Sequence, residues 1–113
     1  MERIDPITIK FEDGETYTLE FNRKTVKEAE EAGFRREDAG DKLMTRIPEL
    51  FYYAFRMHHP NLRKPQTDSI LFNDLGGLTD EMIERLIDLF AAPYTTLVNE
   101  NGTPKNPKVT VTL

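Results

Sequence analysis

An Asp-Gly pair between two runs of alternating residues, near the start of the chain, constrains the fold more than any other feature of the sequence. Apolar and polar residues alternate over residues 7–11 and again over residues 16–21, with Asp13 and Gly14 between the two runs. Such alternation is typical of a strand that buries one face. Glycine accepts the positive φ that a tight turn demands. Residues 7–21 therefore predict an antiparallel β-hairpin.

A short helix is predicted directly after the hairpin. Thr25 is followed three residues later by Glu28, which is the spacing of a capping box at a helix N-terminus. Gly33 ends this helix, because glycine adopts a left-handed conformation without steric cost. Residues 35–42 are polar and contain glycine, so they predict a loop.

The central helix is predicted to begin at Thr45 and to end before Pro60. Pro48 would lie in its first turn, where a missing backbone N–H does little harm. Apolar or aromatic side chains follow one helical stripe, which consists of Ile47, Leu50, Phe51, Ala54, Phe55 and His58. Tyr52, Tyr53 and Met57 lie off that stripe. A helix of this kind either lies in the middle of the core or offers a second face to a partner.

Two further helices are predicted in the second half of the chain. The first begins at Thr67 and is closed by Gly76 and Gly77, and the second is capped by Thr79 and interrupted at Pro93. The second carries an apolar stripe of Met82, Ile83, Leu86, Ile87 and Phe90.

These elements together predict an α+β fold, in which the N-terminal hairpin packs on a bundle of three to four helices. We expect residues 1–98 to form a single domain and residues 99–113 to form a flexible tail, rich in Asn, Gly and Pro. Residues 108–113 alternate again and have high strand propensity. This last segment is expected to add a third strand to the hairpin, to pair with another chain, or to remain loose.

The overall charge argues against a nucleic-acid partner. Twenty acidic and fifteen basic side chains give a net charge of -5, whereas nucleic-acid binders usually present a basic surface. The chain has no cysteine, which fits a reducing compartment and excludes a thiol nucleophile or a zinc–thiolate site. No segment has the length and apolarity of a signal peptide or a membrane helix. We therefore expect a cytoplasmic protein without a membrane partner.

The residues that could carry chemistry do not form a recognisable constellation. His58 and His59 are adjacent, so on a helix their side chains would diverge by about 100° instead of converging on a metal ion. Gly76 and Gly77 precede a helix, but no P-loop Lys-Ser/Thr pair follows them. The sequence predicts no catalytic residue, no cofactor site and no metal site, and hence a protein that is not an enzyme.

The central helix instead suggests a protein-binding surface. Phe51, Tyr52, Tyr53, Phe55 and Met57 fall within seven residues. A core helix covered by the hairpin and the last helix would account for them completely. The functional alternative is a partner-binding patch, because exposed aromatic and methionine side chains are typical of interfaces. The predicted patch comprises Tyr52, Tyr53, Phe55 and Met57.

Three stretches of the sequence resemble a known family of phage proteins. Residues 7–28, 47–55 and 86–97 are similar to the tail assembly chaperones of siphophages and of prophages in Gram-positive bacteria, and the resemblance extends over residues 6–98. The resemblance implies a non-catalytic protein that coats the apolar, helical tape measure protein and helps to recruit the major tail protein. The resemblance implies no catalytic residue in this sequence.

Two other classes of protein remain open, and so does self-association into a homo-oligomer. A structural tail or head-completion subunit would use residues 108–113 to pair with the sheet edge of another subunit. A small nucleic-acid-binding regulator would use the helices on either side of Gly76 and Gly77, but the second of these helices begins with Asp80 and Glu81, which phosphates repel.

Overall fold

A computed structural model of the protein describes residues 3–35, 43–99 and 101–113. The fold is α+β, as predicted, with one antiparallel hairpin and four α-helices in the described residues. The elements in chain order are β1 (Ile7–Lys10), β2 (Thr16–Leu19), α1 (Arg23–Glu31), α2 (Leu43–Phe55), α3 (Lys64–Ser69), a π-helical segment (Ile70–Asp74), α4 (Asp80–Ala91) and a 3₁₀-helical segment (Ala92–Leu97).

The predicted hairpin is confirmed, with β1 and β2 joined by a tight turn. Gly14 has a φ of 94°, and its amide donates a hydrogen bond to the Phe11 carbonyl oxygen at 3.0 Å. The Phe11 amide in turn donates to the Glu15 carbonyl oxygen at 2.8 Å, which closes a three-residue loop. Ile7 lies opposite Leu19, and both side chains point into the core.

Helix α1 has a different N-cap from the predicted one. Asn22 is the N-cap, and its side chain accepts a hydrogen bond from the Thr25 amide while the Thr25 hydroxyl accepts one from the Asn22 amide. Thr25 therefore completes the capping box from the third helical position, and Glu28 is not part of it. Gly33, with a φ of 101°, ends the helix as predicted. The predicted loop over residues 35–42 falls almost entirely outside the described residues.

Helix α2 begins earlier and ends earlier than predicted. Thr45 and Pro48 both lie inside the helix, so Thr45 is not its cap. The helix ends at Phe55, because the amides of His58 and His59 both donate to the Phe55 carbonyl oxygen, at 3.2 and 2.7 Å, and turn the chain. His58 consequently lies outside the helix and is exposed, whereas the other five members of the predicted stripe are buried.

Helix α3 starts three residues before the predicted position. The Arg63 amide donates to the Gln66 side-chain oxygen at 2.8 Å, and Pro65 lies in the first turn. Thr67, the predicted start, is instead buried inside the helix, where its hydroxyl donates to the Lys64 carbonyl oxygen. The π-helical segment follows without a break, and the predicted glycine pair closes it.

Helix α4 matches its predicted start and end. The Thr79 hydroxyl accepts from the Met82 amide at 3.1 Å. The α-helix ends at Ala91, and Pro93 lies in the 3₁₀-helical segment that follows. Leu86 and Phe90 of the predicted stripe are buried, together with Leu89, which the stripe did not include.

The core of the described residues contains five buried phenylalanine rings, which pack among aliphatic side chains of the hairpin and the helices. The Phe90 ring makes edge-to-face contacts with Phe21 and Phe34, at centroid distances of 5.4 and 4.9 Å. Phe51 and Phe55 meet in the same way at 5.0 Å. Helix α2 contacts α1, α3, α4 and β2, so it lies at the centre of the fold.

Residues 108–113 do not form a strand in the structure, and the sheet of the described residues has two strands. All six side chains of the segment are exposed. The expectation that this segment extends the hairpin of its own chain is therefore not met.

Candidate protein-binding surface

Two neighbouring tyrosines, Tyr52 and Tyr53, lie on the outer face of α2 and reach the described surface. The Tyr52 and Tyr53 rings are half-buried and meet edge to face, with their centroids 4.9 Å apart. Together with Arg56 and the end of α1 they line an open groove of about 420 Å³. We call this feature the tyrosine groove. Helix α1 contributes Glu28 and Glu31 to it, and Ala32, directly after α1, also lines it.

An ion pair joins the two helices that form the groove. The Arg56 Nε donates to the Glu28 carboxylate at 3.1 Å, and the Arg56 Nη1 donates to the Pro60 carbonyl oxygen at 2.9 Å. The hydrogen bond to Glu28 raises the pKa of the Arg56 guanidinium above its ordinary value. Arg56 is thus held in place by Glu28 and Pro60, and the Glu28 carboxylate balances its positive charge in the wall of the groove.

The tyrosine hydroxyls add hydrogen-bonding capacity to the groove. Burial raises the pKa of Tyr53 above its ordinary value, and the neighbouring Tyr52 raises it further. Tyr53 is therefore a neutral phenol at physiological pH, able to donate and to accept a hydrogen bond. A half-exposed aromatic ring with a polar tip suits contact with an amphipathic partner.

The structure separates the four residues of the predicted patch. Tyr52 and Tyr53 lie together in the groove. Phe55 is 1% exposed and packs against Phe51 and Tyr17 in the core, so its place in the predicted patch is wrong. Met57 is 36% exposed in the turn after α2 and is not among the residues that line the groove.

A second polar cluster lies where the end of α2 meets β2. The His58 Nε2 and the Glu20 carboxylate are 2.9 Å apart, and the Arg3 guanidinium donates to the same carboxylate at 3.2 Å. Burial by itself would raise the pKa of Glu20, but the hydrogen bonds from His58 and Arg3 outweigh it and hold the pKa below its ordinary value. Glu20 is therefore an ionised partner for the side chains of both Arg3 and His58.

His59 holds the outer edge of β2 against α2. Its Nε2 accepts a hydrogen bond from the Thr18 amide at 3.0 Å, and its ring meets the Tyr17 ring edge to face at 5.1 Å. Burial lowers the pKa of His59, and the neighbouring His58 lowers it further. The ring is thus neutral, with its proton on Nδ1, and this histidine has a structural role. No local sequence signal indicates this contact, which spans 41 residues.

Large apolar side chains remain exposed mainly towards the end of the chain. Nine of them are exposed in the described residues, and five of these fall within residues 97–113. The five are Leu97, Val98, Val109, Val111 and Leu113. Leu43 and Met44 form another exposed pair at the start of α2.

No three His, Asp or Glu side chains converge as metal ligands within residues 3–35, 43–99 and 101–113. Over those residues, no helix has both the length and the apolarity that crossing a bilayer requires.

Comparison with known proteins gives one match. Residues 4–113 match the family described as a domain of unknown function, DUF5055. No curated protein and no solved structure shows significant similarity to the chain. The family match extends through residues 99–113, which lie beyond the resemblance to tail assembly chaperones.

Proposed function

The chain belongs to the DUF5055 family, and we propose that it is a non-catalytic, protein-binding tail assembly chaperone of a phage or prophage. The observation that carries the proposal is the tyrosine groove, which leaves two aromatic rings open on the most apolar helix of the fold. The resemblance of residues 6–98 to tail assembly chaperones supplies the identity of the partner.

The groove is suited to an apolar segment that carries some polar groups. The Tyr52 and Tyr53 rings offer apolar area with little loss of side-chain entropy, and their hydroxyls can satisfy polar groups at its margin. The ion pair between Arg56 and Glu28 fixes the neighbouring wall. An amphipathic helix that lays its apolar face into a groove is a common mode of recognition.

The proposed partner is the tape measure protein, with the major tail protein recruited to the same complex. A long helix with an apolar seam aggregates unless that seam is covered. A small protein with a net charge of -5 would cover the seam and add charge that keeps the complex in solution. The open shape of the groove suits contacts that can later be displaced in the host cytoplasm, where tails assemble.

A structural tail or head-completion subunit is the second candidate. The exposed, alternating residues 108–113 favour it, because such a segment can pair with the sheet edge of another subunit. Electron microscopy and mass spectrometry of mature virions separate the two candidates. A chaperone is absent from the finished particle, whereas a structural subunit remains in it.

Co-expression with the tape measure protein encoded nearby tests the proposal. We expect the wild-type chain to keep the tape measure protein soluble, and the double substitution Tyr52→Ser and Tyr53→Ser to reduce its soluble yield to the level found without the chain. Phe72→Ser is the matched control, since Phe72 is an exposed aromatic residue that does not line the groove.

Three outcomes of that experiment would contradict the proposal. A tape measure protein that is equally insoluble with and without the wild-type chain excludes the chaperone function. If the tyrosine variant solubilises as well as the wild type, the groove is not the binding surface. If Phe72→Ser fails as badly as the tyrosine variant, loss of any exposed ring is enough. Circular dichroism of both variants shows whether each is folded.

A further inference from the structure

The outer edge of β1 carries backbone groups that nothing in the described residues satisfies. The amides of Thr18, in β2, and of Glu20, directly after β2, point away from β1, since they donate to His59 and to the Ala54 carbonyl oxygen. In an antiparallel pair, residues that face each other share this orientation. Thr8 lies opposite Thr18, so the Thr8 amide points away from β2, towards the outer edge of β1. The Lys10 amide, two residues further along β1, points the same way. Neither amide donates to an acceptor in the described residues.

The segment 108–113 has the pattern of a strand that lacks a sheet. Val109, Val111 and Leu113 alternate with Thr110 and Thr112, and all of these side chains are exposed. A turn at Asn106 starts the segment, because the Val109 amide donates to the Asn106 carbonyl oxygen at 3.0 Å. Beyond this turn, residues 110–113 make no backbone hydrogen bond within the described chain. We call residues 108–113 the C-terminal arm.

We propose that the C-terminal arm of one copy of this protein adds as a third strand to the outer edge of β1 in a second copy. The backbone of the arm would satisfy the outward amides of Thr8 and Lys10, which is the usual basis of strand addition. The arm and β1 have the same alternation of apolar and polar residues. In β1, Ile7 and Ile9 are buried while Thr8 and Lys10 are exposed. The apolar side chains of the arm would thus extend the buried face of the sheet, and its threonines would extend the exposed face.

The surface beside β1 can accept the apolar side chains of the arm. Helix α4 packs next to β1, and its Met82, Ile83 and Ile87 side chains are only partly buried. A strand placed outside β1 would lie along this margin of the core. A two-stranded sheet is marginal in water, and a third strand would stabilise it.

The shape of the chain favours a second copy over closure of the arm on its own β1. The radius of gyration is 16.5 Å and the molecule extends 55 × 32 × 25 Å, whereas a compact domain of this length has a radius of gyration of about 13 Å. Hydrogen bonds within residues 99–109 shape the preceding segment into successive turns. The arm is exposed at the end of these turns instead of lying against its own core.

The proposed contact joins different surfaces of the two copies. Each copy has one arm and one free edge, so the interface is heterologous and the association can continue beyond a dimer. A series of copies linked in this way would match a long partner, but the contact does not depend on the proposed chaperone function.

Light scattering coupled to size exclusion, over a concentration series up to millimolar protein, tests this contact. We expect the mass of the full chain to rise with concentration from the monomer value of 13.1 kDa. Two variants should remain monomeric over the same range: a chain shortened after Pro107, which lacks the arm, and Thr8→Pro, which removes an outward amide without disturbing the hydrogen bonds between β1 and β2.

Mixing the two variants is the decisive experiment. The shortened chain keeps a free edge and Thr8→Pro keeps an arm, so the mixture should form a complex of twice the monomer mass that does not grow further. A full chain that stays monomeric at every concentration would overturn the proposal, as would variants that associate like the wild type. A mixture that stays monomeric, although both variants are folded by circular dichroism, would overturn it as well.

A cysteine pair separates exchange between copies from closure within one copy. The chain has no cysteine of its own, so Lys10→Cys and Thr110→Cys, whose side chains would both lie on the exposed face of the extended sheet, introduce the only thiols. Under mild oxidation we expect disulfide-linked multimers on a non-reducing gel. Linked monomers alone would show that the arm closes on its own β1, which would overturn the proposal.

Discussion

The two edges of the hairpin differ although their sequences are alike. On β2, the outward amides of Thr18 and Glu20 both have acceptors in the same molecule, supplied by His59 and Ala54. On β1, the outward amides of Thr8 and Lys10 have none in the described part of the chain. The difference shows that the end of α2, and not strand propensity, decides which edge of this sheet is closed.

An exposed sheet edge is a place where another chain can pair, and proteins usually cover or block such edges. Here α2 covers one edge by lying across β2. The other edge is left to a short strand of four residues with a single charged side chain, Lys10. Substitutions at the closed edge should therefore destabilise the monomer, whereas substitutions at the open edge should act on association.

The largest contrast is expected between Phe55→Ala and Val111→Ala. Phe55 is buried beneath the closed edge, so its removal should lower the free energy of unfolding by about 3–5 kcal/mol. Val111 is 67% exposed in the arm, so Val111→Ala should change the stability of the monomer by less than about 0.5 kcal/mol. Urea unfolding at micromolar protein measures both. Equal losses would show that the arm is packed on its own domain.

A smaller contrast is expected between two prolines placed on opposite edges. Thr18→Pro removes the amide that His59 accepts from and should cost about 1–3 kcal/mol. Thr8→Pro removes an amide that has no acceptor in the described chain, and should cost less than about 1 kcal/mol. Thermal unfolding at low protein concentration compares the two. A Thr8→Pro variant that is as unstable as Thr18→Pro would mean that both edges are closed in the monomer.

The smallest effect is expected from titration of His59 at the closed edge. Burial lowers the pKa of this imidazole in the folded state, so protons bind the unfolded chain more readily. The stability that depends on neutral His59 is complete above the unfolded pKa of about 6.5 and decreases as the pH falls below it. Protonation of Nε2 would also remove the hydrogen bond from Thr18.

The substitution His59→Phe isolates this effect. Phenylalanine keeps an aromatic ring against Tyr17, but it cannot accept the hydrogen bond from the Thr18 amide and it does not titrate. The variant should therefore be less stable than wild type at pH 7.5 by about 1–2 kcal/mol. Its stability should also fall less than that of wild type between pH 7 and pH 5. Identical pH profiles for the two proteins would show that His59 is not the titrating group. Because His58 and Glu20 are present in both, their contribution cancels in the comparison.

The features that the sequence predicted correctly depend on short-range rules. The hairpin follows from alternation and one Asp-Gly pair, and the cap of α4 follows from Thr79. These short-range rules gave the wrong residue where two neighbouring side chains could both act as the N-cap of a helix. Asn22 and Thr25 can both cap α1, and only the path of the chain leaving β2 makes Asn22 the cap.

Two residues of the predicted binding patch are accessible in the structure. Tyr52 and Tyr53 lie off the apolar stripe of α2, and the structure leaves both half-exposed. Phe55 lies on that stripe and is buried, so helical periodicity already argued against its inclusion. The groove itself could not be predicted, because its other wall is on α1 and the ion pair that closes it joins residues 28 positions apart.

The hydrogen bond between the Thr18 amide and His59 also affects the order in which the fold forms. A hairpin is local in sequence and can form within microseconds. The acceptor of the Thr18 amide, however, lies 41 positions further along the chain and must first be brought back to β2. The closed edge of the sheet therefore forms late, once the segment that contains α1 has folded back on β2, and in hydrogen exchange the Thr18 amide should exchange more slowly than the outward amides of β1.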